Sequence, residues 1–134
     1  MSDPQKYETT PEHFEQFVLE CKRVIEFFGL YDWHVEYVHE DFEQNLRAEC
    51  RFNSQGRIAT IALAKEWIVK EPTPELIKLS AFHEMMELVL GDTFSVAIDT
   101  DFTPRQRHNE LEKAQHAVIR RLENVIFPRL RGVQ

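Results

Sequence analysis

One short stretch concentrates the chemistry available to this chain: His83-Glu84-Met85-Met86-Glu87. His83 and Glu87 are four residues apart, so on a helix their side chains point the same way, one turn apart, and can share a metal ion. Glu84 projects beside them, in the place from which a carboxylate can act as general base and take a proton from water. A later segment repeats the spacing with Glu112 and His116, and either can supply a further ligand from across a cleft. The competing reading is plain: the first group is the solvent face of an amphipathic helix, and the second pairs with Arg or Lys at the rim of the core.

The elements that must position these residues follow from periodicity. On a helical wheel Ser80, His83, Glu84 and Glu87 fall within about 100° of arc. Ile77, Leu79, Ala81, Phe82, Met85, Met86, Val89 and Leu90 fill most of the remainder. The pattern predicts a helix from about Pro74 to Leu90, stopped at Gly91, with Phe82, Met85 and Val89 against a sheet and one narrow polar sector facing a cleft. Thr73-Pro74 opens it, as Thr10-Pro11 and Thr103-Pro104 open two others: a capping hydroxyl before a proline whose missing N–H costs nothing at the first helical position. The first helix carries Phe14, Phe17, Val18, Cys21, Ile25 and Phe28 on one face and ends at Gly29. The last runs to about Phe127, where Pro128 is expected to stop it, with Leu111, Ala114, Val118, Leu122, Val125 and Ile126 as its core face. Three strands lie between: 33–39 and 46–52 alternate apolar with polar residues, while 57–64 is apolar on both faces. Asn53-Ser54-Gln55-Gly56 reads as the hairpin turn between the last two. The Asp- and Thr-rich stretch after Gly91 reads as a loop. The class is α+β: a leading helix, a small three-stranded, mainly antiparallel sheet, and two helices.

The chain has 134 residues, 43% hydrophobic and 29% charged, with ten Phe and two Trp, enough for one domain with a real core. Residues 1–10 read as a flexible tail and 11–128 as the core. A net charge of -7 excludes a general nucleic-acid binder, which needs a basic surface. It leaves a soluble protein, one that meets a basic partner, or an acidic mimic of nucleic acid. The first ten residues lack a secretory signal and no apolar run approaches a membrane span, so the expected compartment is the cytoplasm. There Cys21 and Cys50 are expected to be free buried thiols. His13, His34, His39 and His108 read as ordinary surface residues. No nucleophile elbow, phosphate loop or CxxC pair is present.

At Phe82-His83-Glu84-Met85-Met86-Glu87-Leu88 the chain resembles the active-site helix of minimal zincin metallopeptidases, the SprT-like and ImmA/IrrE-like groups. From Tyr31-Asp32-Trp33 through Arg120-Arg121-Leu122-Glu123-Asn124 it also resembles small zincin-like proteins of bacteriophages. The resemblance implies a zincin-like fold with zinc or another divalent cation on His83, a catalytic base at Glu84, and a third ligand from the last helix. Glu87 stands where the family usually has its second histidine, which makes the site harder and more anionic. His116 would restore a second imidazole, and Glu112 is the other candidate. Three functions follow: a metal-dependent hydrolase, with peptide as substrate; a degenerate zincin that binds a protein partner, as a phage-encoded modulator in the host cytoplasm would; and, more weakly, a nucleic-acid-mimicking decoy.

Overall fold

A computed structural model describes residues 3–130. In chain order it contains β1 (Lys6–Glu8), α1 (Pro11–Phe28), β2 (His34–Glu40), β3 (Ala48–Asn53), β4 (Ile58–Ala64), β5 (Glu66–Ile68), α2 (Pro74–Val89), α3 (Gly91–Ile98) and α4 (Pro104–Leu130). The class is α+β. Each of the three threonines caps its helix as its position before proline suggests. Thr10 and Thr73 accept from the N–H groups of His13 and Leu76 at 3.1 and 3.2 Å, and Thr103 accepts from Gln106 at 3.2 Å. His13 is part of the first cap, its Nδ1 accepting from the Thr10 N–H at 3.0 Å. Gly29 adopts φ 66° to end α1, a conformation that a Cβ disfavours.

The sheet order is β2-β4-β3. β3 and β4 form the expected antiparallel hairpin, Cys50 opposite Ile61. β2, however, joins the other edge of β4 in parallel, Tyr37 opposite Ile61, so the sheet is mixed rather than mainly antiparallel. The alternation in β2 is identical in either direction, which is why it did not show the strand's sense. As the central strand, β4 buries residues of both faces: Ala59, Ile61 and Leu63 on one, Ala62 and Ala64 on the other. Within the stretch expected as a flexible tail, Lys6–Glu8 form a strand of a second small sheet. β1 pairs with β5, Tyr7 opposite Trp67. The Thr9 hydroxyl donates to the Ala64 carbonyl at 2.6 Å and therefore accepts from His39 Nε2, also at 2.6 Å. His39 in turn stacks on Phe14, so it is a structural residue rather than a surface one.

Two further corrections concern helices. The stretch after Gly91 is α3, not a loop, and Pro128 lies inside α4, which runs on to Leu130. What Pro128 gives up is one hydrogen bond to the Asn124 carbonyl in the turn before it.

The core is built from α1 and α2 against the sheet, with Phe17, Cys21, Ile61, Trp67, Ile77, Met85 and Leu88 fully buried. The buried arc of α2 runs Glu84, Ile77, Leu88, Ala81, Met85, Val89 around the wheel. Phe82, expected to face the sheet, is instead 43% exposed, and Leu79 and Leu90 are more so. The helix is turned so that the packed arc takes in Glu84 at the edge of the polar sector. The orientation has a direct test by urea unfolding. Phe17→Ala should cost about 3–5 kcal/mol as a core cavity, whereas Phe82→Ala should cost less than about 1 kcal/mol.

Candidate functional site

The polar sector of α2 and the start of β3 face each other across a groove of about 430 Å³. Leu46, Arg47 and Ala48 line one side, Leu79, Ser80, His83 and Glu84 the other, and Ile68 of β5 the end. One ligand atom from each of His83, Glu84 and Glu87 lies within 4.8 Å of the other two, the one such cluster among the described residues. The i,i+4 spacing brings His83 and Glu87 together as expected, both exposed. Glu84 behaves differently from expectation: it is 7% exposed, not partly solvated at the rim, because the turn of α2 carries it into the packed arc.

Burial disfavours the charged carboxylate and pushes the Glu84 carboxyl up to about 8; a hydrogen bond to Glu87, the negative charge of Glu87 and then that of Glu49 add to this. The hydrogen bond favours the protonated form, so Glu84 is its donor. The thiols near it are neutral. Burial, followed by Glu87, Glu84 and Glu49, raises the Cys50 thiol to about 12, and burial raises Cys21 further. Both cysteines are free thiols, as expected, and neither is ionised near neutrality, which removes them as nucleophiles. The Tyr37 hydroxyl is buried without a hydrogen-bond partner among the described residues, and burial raises its pKa as well.

Glu112 and His116 do not join this cluster. They line a separate groove on the outer side of α4, with Phe102, Lys113 and Arg120. The reason is the anchoring of α4. The Arg121 guanidinium donates to the carbonyls of Phe28 and Gly29 at 3.1 and 3.0 Å and to Asp32 at 3.3 Å, and Ala114 is buried. On the wheel Glu112 and His116 lie about 140–180° from Arg121. A helix held by that face turns both candidates outward. The convergence expected from i,i+4 spacing on two helices is therefore corrected: one helix supplies the whole cluster.

Two features were not found from sequence. Arg47 lines the groove, its guanidinium over the Trp67 ring at 5.6 Å, although alternation alone marks it as one more solvent-facing charge. The open edge of β3 is the other. The Ala64 N–H donates to the Arg47 carbonyl at 2.9 Å, and the register pairs Glu49 with Ala62. Residues 49, 51 and 53 therefore direct their backbone groups at β4, and Ala48, Cys50 and Phe52 direct theirs outward.

A glutamate whose folded pKa is raised favours the native state below its unfolded value. That advantage is lost as pH rises from the ordinary carboxylate range toward about 8. Metal-free protein, with chelator present, should thus lose stability between pH 5 and 8. Glu84→Gln should flatten that decline and be more stable than wild type at pH 8 by at least about 1 kcal/mol. Parallel slopes for the two proteins in urea unfolding at several pH values would show that Glu84 is not the group responsible.

Compared with known proteins, the chain matches no family model, no curated protein and no solved structure.

Proposed function

We propose that this chain is a zincin-type, metal-dependent hydrolase acting on peptide. His83 and Glu87 would hold a divalent cation and Glu84 would act as the general base. The observation that carries the reading is the cluster itself: an imidazole and two carboxylates with ligand atoms within 4.8 Å of one another, set in the wall of an open groove. The residues fit such an ion. Atoms bound at about 2.0–2.2 Å from one centre can be reached from this spread by small side-chain rotations. The proton that Glu84 shares with Glu87 marks a place where negative charge lacks a positive partner.

Bound there, zinc or a similar cation would supply Lewis acidity, polarising a carbonyl and making water easier to deprotonate. The rest falls to the chain. Glu84, its affinity for a proton tuned near neutrality by burial, takes the proton from water and passes it to the leaving amine. The outward backbone groups of Ala48, Cys50 and Phe52 can pair with an extended peptide, which supports peptide as the substrate class. No helix among the described residues is long and apolar enough to cross a membrane, and we place the activity in the cytoplasm, without nucleic acid as partner.

A second reading has its own observation. Glu112 and His116 lie in another groove, so the cluster draws on α2 alone. A degenerate zincin that binds a protein partner would need no more. Metal analysis and kinetics separate the two. Protein purified without chelators should hold about one zinc or manganese per chain, His83→Ala and Glu87→Ala should lose it, and Glu84→Gln should keep its fold while peptide hydrolysis falls about 10²–10⁴-fold. A folded, metal-free wild-type chain would favour the binding protein.

A further inference from the structure

The groove that contains His83 and Glu84 also contains a cation without an anion. Arg47 makes no ion pair among the described residues; its guanidinium rests over the Trp67 ring at 5.6 Å. Arg51 is bound to Glu40 and Glu49, Arg57 to Asp32 and Asp92, and Arg121 to Asp32. Arg47 alone lines the groove as a cation among the described residues, beside the Asn45 amide and the Ser80 hydroxyl. A guanidinium presents its N–H donors as a planar fork that matches a carboxylate with two parallel hydrogen bonds. The cation–π contact with Trp67 favours this placement of the guanidinium before any ligand arrives.

The remaining wall is apolar. Leu46 and Leu79 are 39% and 60% exposed, and Ile68 closes the end of the groove between them. Apolar surface left in a concavity is favourable to cover, by roughly 25 cal/mol for each Å² removed from water. At about 430 Å³ the space lies at the small end of ligand sites, which span about 300–1,000 Å³. It suits one or two residues rather than a long segment.

We propose that the groove receives the C-terminal residue of a peptide, with Arg47 binding its free carboxylate and Leu46, Ile68 and Leu79 enclosing an apolar side chain, which makes the chain a carboxypeptidase. This rests on the hydrolase reading above and names its substrate. With the terminal residue held in this way, the scissile amide lies on the His83 side of the groove. Water adds its oxygen to the carbonyl carbon of the penultimate residue and the C–N bond breaks. The proton taken up by Glu84 goes to the departing amine, so the products are a shortened peptide and one free amino acid. The same carboxylate chemistry is offered by an internal aspartate side chain, and the experiment separates the two sources.

The test is isothermal titration of three peptides into the full zinc-loaded chain carrying Glu84→Gln, which prevents turnover: acetyl-Ala-Ala-Leu as the free acid, its C-terminal amide, and acetyl-Asp-Leu amide. The free acid should bind at least about tenfold more tightly than either amide. Adding Arg47→Gln should abolish that preference while leaving the melting temperature unchanged, and Arg47→Lys should restore part of it. Equal binding of acid and amide overturns the proposal. Tight binding of the aspartyl amide also overturns it, in favour of an acidic side chain within a longer peptide. Zinc content of the same samples keeps the two readings apart. A chain that holds zinc but ignores the terminal carboxylate loses the carboxypeptidase assignment alone, whereas one that selects the free acid without holding zinc keeps the Arg47 site and loses the hydrolase.

Discussion

A carboxyl group packed among apolar side chains is stable only when another group shares its proton or its charge, because the interior solvates the ionised form poorly. Glu84 is in that position, and much of the site follows from it. Its partner is Glu87, three residues on and nearly one helical turn away, so the pair stays within α2. His83 precedes Glu84 directly and points to the same groove through its exposed side. Stabilising the buried carboxyl therefore gathers the three ligand atoms. The neighbours contributed by α1 and β3 are the thiols of Cys21 and Cys50, held neutral by burial, so nothing cationic offsets the two glutamates from within the core. An anionic pair left uncompensated at the wall of a groove is costly for folding and useful for holding a cation, the kind of conflict that marks functional sites.

The opposite end of the molecule is organised by cations that are fully occupied. The Arg57 guanidinium lies 4.1 Å from the Trp33 ring and bonds both Asp32 and Asp92. Asp32 is then shared with Arg121 of α4. The hydrogen bonds and charges of Arg57 and Arg121 outweigh desolvation and hold the Asp32 carboxyl below its usual range. This node ties the start of β2, the β3–β4 turn, α3 and α4 together, and the Trp33, Phe52 and Phe94 rings pack edge to face beside it. Exposed ion pairs contribute little individually, but a network that fixes the rotation of α4 determines which of its faces is free. That rotation is what separates Glu112 and His116 from His83.

The parts of this structure that could be read from sequence depend on neighbours in the chain. Thr10, Thr73 and Thr103 cap because hydroxyl and proline positions act within one turn. The β3–β4 hairpin forms where Asn53 and Gly56 permit it, the Asn53 side chain accepting from the Gly56 N–H at 2.9 Å. His83 and Glu87 meet because helical spacing brings them together. The parts that could not be read depend on distant partners. Alternation in β2 is blind to strand direction, and β1 exists because β5 is there to pair with it. A wheel on which apolar residues fill most of the circle does not say which arc the body will cover. Phe82 and Glu84 thus exchanged the environments expected of them. Arg47 is the sharpest case, since an arginine in a polar alternation becomes significant only when the groove that it lines is known.

In the proposed hydrolase, a cation centre drawn from one helix would make substrate and ion depend on each other. Ligands on separate elements fix a coordination shell by the packing of those elements, whereas His83 and Glu87 would rely on the rotamers of two side chains on α2. Such a site leaves more positions to outside donors and holds its ion less rigidly. With Glu84 kept as the general base, His83 and Glu87 would be the two protein ligands, and a carbonyl oxygen of the peptide could add to them. Arg47, the β3 edge and the apolar wall would then strengthen the retention of the ion by positioning the peptide that helps to bind it. By linkage the ion strengthens peptide binding to the same degree. On this view a site with two protein ligands would be completed by its substrate, and groove and cation would be two halves of one binding event.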